Sequence, residues 1–138
     1  MALPSVGGGY QFNDGNLNEV KISVAAAPAT ATDSATLTVA QLTNGIIIGT
    51  PTTTAAYTLP LASDVDAALG HTKIGSTFDF RVINTTTAGV ITMTTNTGWS
   101  IGSGGSQGLM TIAATAGTVR AFRARKTGDG TWALYAIS

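Results

Sequence analysis

The stretch of residues 77–84 reads TFDFRVIN, and its alternation points to the class of fold. Phe78, Phe80 and Val82 occupy every second position, with polar or charged residues between them. Successive side chains of a β-strand point to opposite faces, so this spacing predicts a strand with one face in a core and the other outside. The stretch therefore indicates a half-buried sheet.

On both sides of this strand the chain divides into short β-type segments separated by Gly, Asn, Pro and Asp. Regularly spaced short strands with turn signals between them are typical of an all-β sandwich or barrel. We expect one such domain over residues 20–138, because a chain of this length can bury one core. The predicted strands are residues 20–25, 36–39, 45–50, 55–59, 77–84, 89–95, 109–113, 117–125 and 131–137.

One helix is predicted at about residues 63–69. Ser63 can cap its N-terminus, Asp64 suits the positive first turn, and Gly70 can end it. Val65 would face inward. A shorter turn of helix is a weaker prediction for residues 39–42.

The segment of residues 127–130, TGDG, lies between two predicted strands and indicates a hairpin loop, because these residues accept positive φ. If Phe122 in the first of these strands faces the core, Arg123 and Arg125 face outward. Arg120 then falls on the inner side. Either a bulge lies next to it, or Arg120 lies at the end of the strand.

The chain is poor in charge. Lys and Arg number seven, Asp and Glu number seven, and charged residues make up 10% of the sequence, whereas a typical soluble domain has about 25%. Zero net charge gives little protection against self-association, so we expect partners to cover part of the surface. It also gives no long-range attraction for nucleic acid or an anionic membrane. Because there is no cysteine, disulfides and cysteine-based sites are excluded.

Residues 1–19 are expected to form an extended N-terminal arm, because proline, a glycine triplet and a turn-like Asn-Asp-Gly disfavour regular structure there. The arm is too apolar for a purely solvated tail, so we predict that it docks on a partner. A disordered start with chance hydrophobic residues is the alternative. We expect neither a secretory signal nor a membrane span. The apolar residues of the arm are Leu3, Val6, Tyr10, Phe12 and Leu17.

Residues that could carry chemistry are few. His71, the single histidine, could combine with Asp64 or Asp66 in a hydrolytic or metal site. No G-x-S-x-G motif accompanies it, and carboxylates two positions apart on a helix diverge. The glycine-rich run of residues 102–108 lacks the lysine of a phosphate-binding loop and is more typical of a strand connection. We therefore expect no enzyme activity, metal or cofactor.

The one concentration of positive charge comprises Arg120, Arg123, Arg125 and Lys126. No aromatic stacking platform is patterned beside it, so we do not expect it to bind nucleic acid. We expect it to meet acidic groups, either Asp79 on a neighbouring strand or another copy of the chain.

Aromatic residues leave a second function open. A stacking platform for sugars could be built from Trp99, Trp132, Tyr57 and Tyr135. In a β domain such residues are more often part of the core or of an interface.

Residues 36–138 resemble small virion proteins of tailed bacteriophages, especially those of cyanobacteria and other aquatic bacteria. The resemblance is carried by TLTVAQLTNGIIIGTPTTTAAYTLP, DVDAAL, GSTFDFRVINTTTAGVITM and RARKTGDGTWALYAI. It implies a capsid cement or decoration protein with a jelly-roll-like β-sandwich, one short helix and an extended arm. It further implies a homotrimer on the capsid exterior, made in the host cytoplasm and bound to the major capsid protein.

On this view the arm grips the capsid, and subunits or partners meet elsewhere. An obligate interface resembles a core cut in half, and the apolar strand at residues 45–50 suits one. The alternative is a carbohydrate- or receptor-binding head of a tail fibre or collar. The predicted subunit or partner interface comprises Ile46, Ile47, Ile48, Arg120, Arg123 and Arg125.

Overall fold

The computed structural model of the chain describes residues 22–138. This part is mostly strands in two mixed sheets, with few helices. The helices are α1 (Val39–Asn44), α2 (Ala62–Ala68) and a short 3₁₀ turn (Ser103–Gly105). The strands are β1 (Ala29–Ala31), β2 (Ala35–Thr36), β3 (Ile46–Gly49), β4 (Ala55–Thr58), β5 (Thr77–Asn84), β6 (Ile91–Thr94), β7 (Trp99–Ser100), β8 (Thr111–Ile112), β9 (Thr118–Gly128) and β10 (Thr131–Ala136).

The chain alternates between the two sheets. The larger has the order β1-β3-β5-β9-β10-β7 and the smaller the order β2-β4-β6-β8. From β1 to β6 the strands alternate, so that β1, β3 and β5 lie in the larger sheet and β2, β4 and β6 in the smaller. Within the larger sheet, β1 pairs in parallel with β3, and β3 pairs in parallel with β5. The terminal strands β9 and β10 instead form an antiparallel hairpin, and β9 also pairs antiparallel with β5.

The expected jelly roll is not confirmed. A jelly roll is built from antiparallel strands, whereas β1-β3, β3-β5, β2-β4, β4-β6 and β7-β10 are all parallel ladders. The physical reason lies in the connections. The chain returns from β2 to β3 through α1 and from β4 to β5 through α2, and such crossovers bring the next strand back in the same direction.

Most predicted strands overlap observed ones, and β5 has the predicted bounds. The prediction at residues 20–25 is wrong for its described part, because residues 22–28 contain no strand. The strand predicted at residues 36–39 is observed only at its start, since β2 ends at Thr36 and α1 begins at Val39. The short strands β1 and β7 were not predicted.

Each helix begins differently. Thr38 and Gln41 form a capping box at the start of α1: the Gln41 amide donates to Thr38 Oγ1 at 3.1 Å, and the Thr38 amide donates to Gln41 Oε1 at 2.8 Å. Gly45 ends this helix with φ 97°. The prediction that Ser63 caps α2 is wrong, because α2 already begins at Ala62 without a side-chain cap. Val65 is buried as expected.

The core fills the space between the sheets. The rings of Phe80 and Phe122, on paired strands, stack with centroids 5.4 Å apart, and Phe78 lies 5.6 Å from Trp132. Burial of each large apolar side chain stabilises the fold by about 1.5–3 kcal/mol relative to exposure. The largest fully buried side chains are Trp132, Tyr57, Phe80, Phe122, Leu37, Leu42, Ile47, Leu59, Ile91, Met93, Ile112 and Leu134.

Among residues 22–138 neither α-helix has the length and apolar character that crossing a bilayer requires.

Candidate functional site

The outer face of the six-stranded sheet carries an apolar row. Ile48 on β3 pairs with Ile83 on β5, and Ile83 pairs with Val119 on β9, so the three side chains lie side by side across the strands. Val119 is 47% exposed, and Ile46, two residues before Ile48 on the same face, is 38% exposed. Ile137, directly after β10, is 45% exposed. Ile48 and Ile83 are half-buried, so the row is partly exposed.

Charged side chains border the apolar row on the same face. Arg123 Nε and Nη2 donate to the two carboxylate oxygens of Asp79 at 2.7 and 2.9 Å. This hydrogen bonding and the opposite charge lower the pKa of Asp79 and raise that of Arg123. Of the basic cluster, Arg123 meets Asp79 as expected. Arg81 and Arg125 are exposed and form no salt bridge with a described residue.

Arg120 lies on the core-facing side of β9. The β5–β9 register runs without a shift from Thr77 opposite Arg125 to Asn84 opposite Thr118, so no bulge lies next to Arg120. It lies beyond the last β9–β10 pair, Phe122 with Ala136. Its Nε donates to the Thr111 carbonyl at 2.7 Å and its Nη1 to the Ser138 carbonyl at 2.6 Å.

The sequence-based assignment of Arg120 to a subunit or partner interface stays a prediction, although its Nε and Nη1 are used within the chain. The side chain is half-buried and joins β9 to β8 of the smaller sheet and to the C-terminus. A guanidinium that already donates to two carbonyls of its own chain holds the two sheets together at this end.

The three consecutive isoleucines do not share one environment. Ile47 pairs with Val82 of β5, and both are fully buried in the core. Its assignment to an interface is therefore wrong, because the pleat turns it away from the outer face. Ile46 and Ile48 remain available to a partner.

The five apolar residues of the arm, Leu3, Val6, Tyr10, Phe12 and Leu17, lie outside the described residues. The structure begins with residues 22–28, which precede β1 and are all exposed. In this segment Ile22 is 85% and Val24 100% exposed.

The candidate hydrolytic and metal residues are not brought together. His71 and Asp64 are exposed, and the Asp66 carboxylate is bound to other groups. No cluster of three or more His, Asp or Glu side chains in the described part of the chain could hold a metal ion.

Asp66 joins α2 to the β9–β10 hairpin. Its carboxylate accepts hydrogen bonds from the Gly130 amide at 2.5 Å and from Trp132 Nε1 at 2.8 Å, and Lys126 Nζ lies 3.1 Å away. Partial burial opposes ionisation, but these donors and the Lys126 charge together lower the pKa of Asp66. The arrangement is structural, since every partner belongs to this chain's own framework.

The proposed sugar platform is not formed. Trp99, Trp132 and Tyr57 are buried, and their polar atoms are used internally: Trp99 Nε1 donates to the Pro60 carbonyl at 2.7 Å. The Tyr57 hydroxyl lies 3.0 and 2.9 Å from the carbonyls of Ala31 and Thr32. Buried rings cannot stack on a sugar in solvent, so three of the four predicted residues are excluded from that role.

Open grooves border the smaller sheet in the described part of the chain. One, of about 420 Å³, lies between β6 and the glycine-rich loop and is lined by Thr92, Thr94, Ile101 and Leu109 among others. Another, of about 510 Å³, lies beside Val39 and includes Asp64 as its one acidic side chain. Neither brings together a nucleophile and a base.

Sequence reasoning missed Ile83, Val119 and Ile137 as members of the exposed row. The sequence carries a signal for Ile83 only: it follows Val82 in β5, so it falls on the side opposite the core residues. The row itself depends on strand register, which local spacing does not encode.

A comparison with known proteins finds no match: no protein-family model, no curated protein and no solved structure is significantly similar to this chain.

Proposed function

We propose that this chain is a non-enzymatic structural protein of a phage particle, a capsid cement or decoration protein that binds the major capsid protein as a homotrimer. The observation that carries the proposal is the apolar row on the outer face of the six-stranded sheet, in which Val119 is exposed and Ile48 and Ile83 are half-buried. Contiguous exposed apolar surface marks a contact with another macromolecule.

The chemistry of this face supports an assembly role. It combines branched aliphatic side chains with a rim of arginines, and interfaces are similarly built from an apolar centre and a polar rim. A shell that carries many copies of one modest contact gains avidity, so each contact need not be strong. The low charge of the chain favours such association over a dispersed monomer.

The choice of a phage capsid rests on the resemblance of residues 36–138 to small virion proteins. The jelly-roll-like sandwich that this resemblance implies is no part of the support, because the parallel ladders differ from it. In this proposal residues 1–19 grip the major capsid protein on the capsid exterior, and the protein is made in the host cytoplasm before assembly.

Two experiments test the proposal. Purified particles of the phage that encodes this chain should contain it by mass spectrometry, and cryo-electron microscopy should locate it at local three-fold positions of the capsid. Its absence from the particle, or a location on the tail, would contradict the cement function.

The second experiment tests the arm. A variant lacking residues 2–15 should remain a homotrimer but fail to bind capsids that the full chain decorates. Normal decoration by the truncated protein would contradict the role of the arm.

The alternative is a carbohydrate-binding head of a tail fibre. Three of the four aromatic residues proposed for its sugar contact are buried in the core.

A further inference from the structure

Two apolar surfaces of this chain lack partners within residues 22–138. One is the outer row of the six-stranded sheet, with Ile48, Ile83 and Val119 side by side. The other is the segment of residues 22–28, all exposed, in which Ile22 and Val24 are almost entirely in solvent. Each of these surfaces is unfavourable to leave hydrated, because apolar area gains free energy when it is removed from water.

We propose that residues 22–26 of one copy pack on the outer face of the six-stranded sheet of a second copy. The copies thereby associate by exchanging the segment that precedes β1. This inference rests on the homo-oligomer of the proposed function. It adds which two surfaces of the chain are in contact.

Asn44 Nδ2 donates to the Ala27 carbonyl of the same chain at 2.8 Å, which anchors the end of the segment. Residues 22–26, before this anchor, do not lie on their own sheet. If they did, Val24 would be shielded by the row, whereas its side chain is 100% exposed. The segment can instead contact the same row on a second copy. Because the contact joins two different surfaces, it is heterologous and closes into a ring when the rotation between copies allows it.

Spacing supports the match. Ile22 and Val24 are two residues apart, as are Ile46 and Ile48 on the sheet. In an extended chain this separation is about 6.6 Å, so two side chains of the segment can meet two successive rows of the face. The small residues that follow, Ala25 and Ala26, permit close approach of the backbone.

Charge also supports contact between the N-terminal segment and the outer face. Asp79, Arg81, Arg123 and Arg125 give the outer face a net charge of +2, from three positive side chains and one negative. Residues 1–21 before the segment carry Asp14, Glu19 and Lys21, a net side-chain charge of −1 from two negative groups and one positive. A chain that approaches the face with these carboxylates meets charge of opposite sign.

The absence of cysteine permits a direct test by cross-linking. A copy with Val24→Cys and a copy with Val119→Cys, carrying tags of different length, are mixed and mildly oxidised. We expect a disulfide-linked product with one chain of each kind. The matched control pairs Val24→Cys with Ala67→Cys on the exposed side of α2. A mixed product no more abundant than that of the control would overturn the proposal.

Sedimentation equilibrium of the full chain gives a second measurement. Val119→Asp and Val24→Asp should each weaken self-association by about tenfold or more, with unchanged circular dichroism. Ala67→Asp should have no effect. A full chain that is monomeric, or that associates equally well in both variants, would contradict the exchange. Because these tests use the isolated protein, their failure is distinct from absence of the protein from a phage particle.

Discussion

The ammonium of Lys126 on β9 lies 3.1 Å from the carboxylate of Asp66 on α2, and both side chains are largely enclosed. The two residues are 60 positions apart, and the same carboxylate accepts the indole N–H of Trp132. This small network fastens the helix to the terminal hairpin. An enclosed charge pair stabilises little by itself, but loss of one partner leaves the other charge uncompensated.

Asp66→Asn should therefore destabilise the fold by about 2 kcal/mol, because Lys126 keeps its charge without a counter-ion. The matched control is Asp64→Asn, an exposed carboxylate on the same helix, for which we expect a change within about 0.5 kcal/mol. Urea unfolding at pH 7 measures both. Equal stability of the two variants would show that the network has no net effect.

Acid should weaken the same network. The pKa of Asp66 is lowered in the folded state, so its contribution is present above the unfolded value of about 3.9 and is lost as pH falls through the folded value. Unfolding free energies measured from pH 6 down to pH 2 should fall less steeply in Asp66→Asn than in the unaltered chain. Parallel curves would contradict this assignment.

Alkaline pH should lower the stability of the fold, because Tyr57 is buried. Burial raises the pKa of its hydroxyl to about 12, with the Asp33 charge adding to the effect. An unfolded tyrosine ionises near pH 10, so the unfolded chain releases a proton first, and stability falls as pH rises from about 10 to about 12. Tyr57→Phe should be less stable at pH 7, because the Ala31 and Thr32 carbonyls lose a donor, but should lose less stability in this window. Urea unfolding from pH 9 to pH 12 tests the difference.

Ile47 and Ile46 form a matched pair on β3. Ile47→Ala should lower the unfolding free energy by about 2–5 kcal/mol, because it opens a cavity in the core. Ile46→Ala should cost less than about 1 kcal/mol, since this side chain is 38% exposed on the outer face. Chemical denaturation at a protein concentration too low for association separates folding from assembly. A similar cost for both would contradict the assigned strand faces.

Gly89 occupies a turn that has no room for a side chain. A Cβ at this position would collide with the backbone of Thr53, and the Gly89 carbonyl is held by Asn84 Nδ2 at 2.8 Å. Gly89→Ala should cost about 1–3 kcal/mol, because backbone must shift. Gly70→Ala is the control, since its nearest neighbours lie at ordinary contact distances of 3.9 and 4.0 Å. Thermal unfolding of both variants measures the contrast.

Part of the fold follows from local sequence. Alternation in residues 77–84 predicts β5 and its inner face, and the TGDG segment predicts the turn between β9 and β10. These features are encoded by neighbouring residues, because the pleat of a strand and the φ preference of glycine act over a few positions. The same kind of reasoning placed Asp79 beside Arg123, since opposite charges on adjacent strands attract.

Other features follow from contacts between distant residues. The run of three isoleucines has no alternation, so only pairing of Ile47 with Val82 decides which one enters the core and which two face outward. Parallel pairing of strands, the network around Asp66 and the row formed by Ile48, Ile83 and Val119 likewise join residues 18 or more positions apart, as Ala29 and Ile47 show. The sequence by itself determined the β-rich class, the terminal hairpin and the scarcity of charge. The tertiary structure alone decided strand direction and the exposed apolar face, because register is set by packing across the sheet and not by the spacing of residues along one strand.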